Sequence, residues 1–509
     1  MNKRFYLRAM AWLMTALMLL GSIALTSCAD DEPQDPDTPE DPGTSDGSDE
    51  AGEDTRIPLD YLPQATYGGL EINVLEWSVS GQRPGQSWVP WEDIDVDSGD
   101  GDPISNAIYD RNGVVEETYD VVITKEYIDV NDDLLTTAVR NNEATGDLAY
   151  QMITTRTFGI KALCMEGLMA NMFEMENLHT DMPWWNQDSV RSYTVGNALY
   201  FAAPEMLLRD KGATAAMFYN QKVASDEGIE DLYALVESGD WTMEAMIGHS
   251  QDVSADMDGD DLISSGEDMY GLYGGTGDLP FFLYTGAAQK FAEVDEYGYL
   301  RLTFGDDEDI TIWQDILDMV MYTDFYYFNK VDTTLLPTDY NVFTSDHTLF
   351  YAHMVKEVLN LRNMESDYGV LPVPKYDEYQ DDYSSLVWMH HDCVLGIPAS
   401  CTTNQTTVDA VSAVLEHMSY ISYYDVYPIF YDTIILGKSA RDEQSKEMLE
   451  LIFRTRSFDP GQYWIPKETE HFLFIYSNGH KNVSSVWASV ETAFTTGVEA
   501  YNNLVDELN

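Results

Sequence analysis

Positive charge is what this sequence has least of. Its 509 residues carry 27 Lys and Arg against 89 Asp and Glu, a formal net charge of −62. A field of that sign repels phosphate backbones, so nucleic acid is not an expected partner. Cysteine is scarce as well. The four cysteines stand at 28, 164, 393 and 401, and none has the CxxC spacing of a zinc site. Cys393 and Cys401 could pair or remain buried thiols, and their spacing does not decide. No HExxH motif is present. His390 and His391 are adjacent, which on a strand would turn them to opposite faces and away from a shared metal. Beyond the first 25 residues no apolar run approaches the length of a membrane span. Aromatics, in contrast, are plentiful: 33 Tyr, 19 Phe and 11 Trp, enough for both cores and ligand faces.

The N-terminus reads as a targeting segment. Lys3, Arg4 and Arg8 precede an apolar stretch at 9–25, and LTSC stands at 25–28. LTSC resembles the lipobox of bacterial lipoproteins. By that resemblance residues 1–27 are a signal peptide, and Cys28 becomes the acylated N-terminus, carrying a diacylglycerol with palmitate as the expected chain. The other reading is an uncleaved anchor helix. Either places the body outside the cell membrane, anchored to its extracellular face. Residues 29–55 hold twelve acidic residues and no basic one among Pro, Gly, Ser and Thr. Such a segment cannot bury enough apolar surface to fold. The stretch 28–60 is therefore read as a tether, with a reach of roughly 30 Å.

Folded sequence begins near Tyr67. A β-run at 68–77 is followed by an amphipathic helical pattern at 104–119, a strand at 120–128, a helix at 134–143 and a strand at 146–155. Alternation of this kind implies a parallel sheet covered by helices, with ligands at the carboxyl ends of its strands. A second α/β unit opens near residue 198. There 215–223 reads as a strand running into a helix, and Thr242 is a plausible N-cap. The proline-containing run 368–376 suits a chain crossing between units. Residues 393–399 return to strand, and helices are expected at 408–422 and 484–508.

The order of these signals resembles the bacterial extracellular solute-binding proteins of the carbohydrate type, the receptor subunits of ABC importers. The residues that carry the resemblance are AIYDRN at 107–112, GDLAY at 146–150, PWW at 183–185, YNQK at 219–222, GDWT at 239–242 and YGVLPVPK at 368–375. The resemblance implies an α/β fold of the class II periplasmic-binding-protein type, with two lobes, a hinge and an interlobe cleft. The lobes are expected at 67–190 plus 376–435 and at 191–375 plus 436–509. It also implies a monomer that binds a carbohydrate, closes over it and docks on transmembrane permease subunits, with no enzymatic activity and no required cofactor. A surface glycan-binding or sensing protein without transport, or a glycoside hydrolase, are the alternatives.

A sugar needs flat rings for its C–H face and directional groups for its hydroxyls. The resemblance points to Trp77 after the first strand, to Thr155 and Arg156 after the 146–155 strand, and to Phe281, Phe282 and Tyr284 in the second lobe. It also points to Trp388 beside His390, His391 and Asp392, and to Trp487 near the C-terminus. Each could instead pack in a core. Trp184 and Trp185 read as lobe-junction packing, and Trp88 and Trp91 sit in a long polar insertion.

One stretch stands apart. DMDGDDLISSGE at 256–267 places Asp256, Asp258, Asp260, the Leu262 carbonyl and Glu267 at the ligand positions of an EF-hand calcium loop. Position 6, normally glycine, holds Asp261, and the glycine stands two places earlier at 259. Calcium here is expected, if bound, to act as a structural clip.

Overall fold

The computed structural model describes residues 56–508 apart from 79–90, 97–101, 130–131, 147, 230, 264–266, 329–340 and 436–442. Cys28, the expected signal peptide, the tether as far as residue 55 and Trp88 lie outside the described residues.

Strand β1 (Leu70–Ser78) starts with exposed Glu71 beside buried Ile72 and becomes fully buried from Val74 to Trp77. Helix α1 (Pro103–Tyr119) comes next. It begins where the Asp102 carboxylate accepts the Ser105 N–H at 3.0 Å with Pro103 in the first turn, and it ends at Asp120 in the left-handed region. Then come β2 (Val121–Asp129), α2 (Asp132–Thr145) and β3 (Met152–Thr155). The expected strand at 146–155 is shorter than its sequence suggested. Gly146 and Leu148 take positive φ values of 66° and 49°, so the chain is still turning there. Strands β1, β2 and β3 are mutually parallel, in register from Leu70 opposite Val121 and Val74 opposite Met152. Helical crossovers are what parallel neighbours require.

Two later strands complete this sheet: β4 (Phe201–Ala202) and, much further on, Val394–Gly396. The order is β2, β1, β3, Val394–Gly396, β4, the last two pairings antiparallel. Phe201–Ala202 thus belongs to the first sheet, beyond the boundary of 190 expected from sequence.

The second sheet is built from β5 (Ala215–Asn220), β6 (Tyr270–Gly274), β7 (Tyr326–Tyr327), β8 (Thr348–Met354) and β9 (Tyr368–Leu371), in the order β7, β6, β8, β5, β9. Strands β6, β7 and β8 are parallel, and β5 runs antiparallel to both its neighbours. The Thr242 cap expected from sequence forms, its hydroxyl accepting the Ala245 N–H at 3.3 Å at the head of Met243–Val253. With Val394–Gly396 numbered β10, helix α3 (Gln405–Ile421) packs on α1, and Glu443–Arg454 packs beside β9.

Chain passes between the sheets at 203–214, at 372–393 and after α3. These passages touch. The Trp388 N–H donates to the Ala213 carbonyl at 3.0 Å, Ser385–Leu386 pairs with Arg456–Ser457, and the Val387 N–H donates to the Ser457 carbonyl at 3.0 Å. A buried ionic network fills the space among them. Arg209 bonds the carboxylates of Glu76 and Asp93, the latter at 2.7 Å, and donates to the Trp77 carbonyl at 2.8 Å. Arg456 bonds Glu205 at 2.9 Å and Asp210 at 2.7 Å, and Lys211 bonds Glu205. All seven side chains are buried. Gly212 sits among them because a Cβ there would lie 2.5 Å from the ring of Trp91.

A second buried anchor is Glu416 on α3. Its carboxylate accepts from Tyr61 Oη at 2.7 Å, Trp184 Nε1 at 2.9 Å, Trp185 Nε1 at 3.0 Å and the His179 N–H at 3.3 Å. Trp184 and Trp185 are therefore packing residues. Trp91 packs likewise, edge-on to Phe430. Cys164, Cys393 and Cys401 are buried free thiols, so the 393–401 pair does not form.

Removing one partner of a buried ion pair strands the other charge, at a cost of about 3–5 kcal/mol. Arg209→Met is expected to lower unfolding stability by about that amount in urea melts. The triple variant Arg209→Met, Glu76→Gln, Asp93→Asn is expected to recover part of it.

Candidate functional site

The carboxyl ends of parallel strands from both sheets lead into this junction. On the first sheet Trp77 is the last residue but one of β1, inside the strand rather than after it. Its indole is 1% exposed, and Nε1 has no hydrogen-bond partner among the described residues. Thr155 closes β3 opposite Val394, and its buried hydroxyl is also without a partner. Arg156 comes after β3 and lays its guanidinium over the Trp77 ring at 5.6 Å, while Arg209 lies 5.8 Å from the same ring. Two places on, Phe158 faces the His390 ring at 5.6 Å, and His390 meets Trp388 at 5.1 Å.

The second sheet contributes the segments that leave β6 and β8. After β6, Gly275, Thr276 and Gly277 lead into the helix Asp278–Gly286, which carries Phe281 and Phe282. Their rings lie 5.1 and 6.0 Å from Trp388. After β8 the Val355 N–H donates to the Thr214 carbonyl at 2.8 Å, which turns Lys356 toward the junction, where Nζ lies 2.8 Å from His391 Nδ1. His353, Asp278, His390 and His391 are partly exposed, as is Arg156. Trp77, Trp388, Phe281 and Phe282 beneath them are buried.

The electrostatics follow from burial. Desolvation lowers the Lys356 ammonium to about 8, against the attraction of Glu357 and Asp278. It lowers His390 to about 4, helped by Arg156, and holds His391 well below the usual imidazole range, helped by Lys356. Burial raises Asp278, opposed by His353 and Lys356. It raises Asp392 far above the carboxylate range, although the Thr157 N–H and hydroxyl donate to it at 3.0 and 2.5 Å. Flat rings thus stand beside an arginine, a lysine and neutral imidazoles, a set that can stack on one face of a small molecule and hydrogen-bond its edges.

Not every residue expected at a site is brought here. Tyr284 bonds Asp309 through its hydroxyl at 2.8 Å and packs among Phe291, Phe304 and Trp313. Trp487 is half-buried on the C-terminal helix Val483–Leu508, against Phe304 and Phe494. Both are core contacts. Phe158, Asp278, His353 and Lys356 were missed. Lys356 was the most legible of them, a scarce cation two residues past a strand. A surface groove of about 630 Å³ lies elsewhere, lined by Lys467, His471, Phe474, Lys481 and Val490, and shares no residue with the junction.

The acidic loop comes after helix Met243–Val253. Carboxylate oxygens of Asp256, Asp258 and Asp260 lie within 4.8 Å of one another. Asp256 accepts the N–H groups of Gly259 and Asp261 at 2.6 and 2.7 Å, and Asp260 accepts that of Leu262 at 2.9 Å. Asp261 supplies the left-handed turn expected of a glycine at position 6, with φ 67°, and Gly259 is left-handed as well. Residues 264–266, between this turn and Glu267, are outside the described set.

Comparison with solved structures decides the fold to which this geometry belongs. An ABC substrate-binding protein from Listeria monocytogenes in complex with cycloalternan superposes with a TM-score of 0.51 at 11% identity, over 86% of this chain and 98% of its own. The chain has the fold of the ABC-importer solute-binding proteins. The galacto-N-biose/lacto-N-biose I-binding protein of a Bifidobacterium longum ABC transporter, complexed with lacto-N-biose, gives 0.51 at 11% identity over 86% and 98% of the two chains. UgpB from Mycobacterium tuberculosis in complex with glycerophosphocholine gives 0.51 at 13% over 85% and 99%. These neighbours are binding proteins rather than enzymes, and the expected two-sheet α/β class is the one observed. No family model matches the chain, and no curated protein matches it by sequence. Among the described residues no helix is long and apolar enough to cross a membrane.

An imidazole with a folded-state pKa below its unfolded value contributes stability that is whole above about pH 6.5 and is lost as pH falls. For His390 the loss runs down to about 4. His390→Gln is therefore expected to flatten the fall in melting temperature between pH 7 and 4.5. His417, also held to about 4 by burial, leaves a residual slope.

Proposed function

We propose that this chain is the substrate-binding component of an ABC importer and takes a carbohydrate at the junction between its sheets. Trp77, Trp388 and the Phe281–Phe282 pair offer ring faces, and Thr155, Arg156, His390 and Lys356 offer hydrogen-bonding groups. The observation that carries the reading is this convergence. Two polar atoms buried without partners among the described residues, Trp77 Nε1 and Thr155 Oγ1, stand close to aromatic rings where strand ends of the two sheets meet. An unsatisfied buried polar group is costly, and a ligand hydroxyl would relieve it. The two lobes, at 67–190 plus 376–435 and 191–375 plus 436–509 with the first extended through Ala202, would close by hinge motion over the sugar. The closed monomer would then deliver it to transmembrane permease subunits, without catalysis. In this reading Cys28 is acylated, residues 1–27 are removed, and the tether holds the receptor at the extracellular face of the cell membrane.

Titration of mono- and oligosaccharides against tryptophan fluorescence tests the proposal. A saturable change with at least one oligosaccharide is expected, and silence across the panel in folded protein would count against it. Arg156→Ala is expected to weaken that binding by about 1–3 kcal/mol, the worth of a lost bond to a charged group, with little change in melting temperature.

The loop at 256–267 is proposed as a calcium clip. Asp256, Asp258, Asp260 and Glu267 would give carboxylates and Leu262 its carbonyl, pinning the end of Met243–Val253 to the start of β6. Chelator is expected to lower the melting temperature of the purified domain, and added calcium to restore it with measurable binding heat. No shift and no heat would dismiss the clip.

A further inference from the structure

We infer that the ligand is a chain of several sugar residues whose far end lies outside the junction, over a row of rings on the second sheet's side that leads to the groove at Lys481. The inference rests on the carbohydrate reading above and adds a second contact surface to it.

The row starts where the second sheet meets the junction. Tyr326 of β7 donates its hydroxyl to the Gly274 carbonyl at the end of β6, 3.0 Å away, and lies within electrostatic reach of Asp278. Its ring stands 5.8 Å from Phe328 and 6.0 Å from Tyr476, and Phe328 meets Tyr476 edge-on at 5.2 Å. Tyr476 in turn lies 4.9 Å from Tyr322. The Tyr322 hydroxyl donates to the His480 carbonyl at 2.8 Å, and the Lys481 ammonium lies over the Tyr322 ring at 5.1 Å. His480 and Lys481 line the groove of about 630 Å³, so contacts run from Asp278 to the groove without a break. Close packing holds the row there. Tyr476 follows the helix Pro466–Leu473, and Leu473 lies so near Gly277 that a Cβ on that glycine would meet its side chain at 2.7 Å.

Exposure separates this row from a core. Tyr326 is buried, but Phe328, Tyr476 and Tyr322 are each partly exposed, and Phe474 in the groove is 50% exposed. Contiguous exposed apolar surface rimmed by polar groups marks a binding groove. The rings suit the C–H faces of successive sugars, and the groove adds the amides of Asn478 and Asn482 and the hydroxyls of Ser485 and Ser489 for their hydroxyls. Continuity with the junction makes further residues of the same saccharide the occupant.

The test is calorimetric titration of the full chain with malto-, cello- and xylo-oligosaccharides from the disaccharide to the hexasaccharide. In at least one series the hexasaccharide is expected to bind about tenfold or more tighter than the disaccharide, the size of a few added ring contacts. Tyr476→Ala, and separately Phe474→Ser, should each remove most of that gain while leaving disaccharide affinity within about twofold. Neither residue belongs to the set proposed at the junction, so unchanged disaccharide binding also reports a folded variant. Phe474 is at the surface, and its variant keeps the test open should Tyr476→Ala not fold. Equal affinity at every chain length, or a gain untouched by both variants, would overturn the extended surface and leave the carbohydrate reading standing. A folded protein that binds no member of any series would overturn both.

Discussion

A guanidinium sealed away from water sets the terms for the rest of the molecule. Arg209 cannot lose its proton, so its burial demands anions beside it, and Glu76 and Asp93 are drawn in from two distant stretches of chain. The Trp77 carbonyl accepts a further N–H of the guanidinium and fixes the end of β1. The adjoining Arg456, Glu205, Asp210 and Lys211 repeat the arrangement across two passages between the sheets. Such a cluster adds little net stability compared with apolar packing, but it tolerates few alternatives. Chain segments more than 200 residues apart must meet in one geometry for its charges to be satisfied, as the Arg456–Asp210 contact requires.

That geometry places the groups proposed to bind a ligand. The C-terminal ends of parallel strands are where side chains and loops lie free of the ladder. Here the ends of β1 and β3 approach the ends of β6 and β8, and the passages between the sheets supply Trp388, His390 and His391. Ring contacts run through the junction from Phe158 on His390 to Trp388 and Phe281, and Trp77 lies under Arg156 on the same side of the first sheet's strand ends. Beyond Phe281 it merges with the core around Trp313 and Phe291, which is why Tyr284 belongs to packing although it is only three residues away.

Much of the architecture was legible along the chain because it is encoded locally. The α1 pattern, with Asp102 and Pro103 before it, and the Thr242 cap each depend on a few consecutive residues, and each formed where expected. Thr155 and Arg156 could be placed because a strand end is a local event. The strand at 146–155 was overestimated because Leu148 adopts a left-handed backbone that an apolar side chain rarely takes. Trp487 and Tyr284 pack against Phe304, which could not be read from sequence because an aromatic residue looks the same there whether it packs or binds. The positions of Lys356, His353 and Asp278 at the junction were hidden because their neighbours there lie far away in the chain.

The sequence alone determined the kind of elements, their alternation, the acidic character and the scarcity of cations, since composition and short-range periodicity act without reference to distant residues. It also determined where a turn could bend, as the run of aspartates at 256–260 shows. Only the tertiary structure decided which scarce cations enter the buried ionic network and which line the junction, and which rings are core. Those outcomes depend on burial, and burial arises only when segments hundreds of residues apart pack together and exclude water.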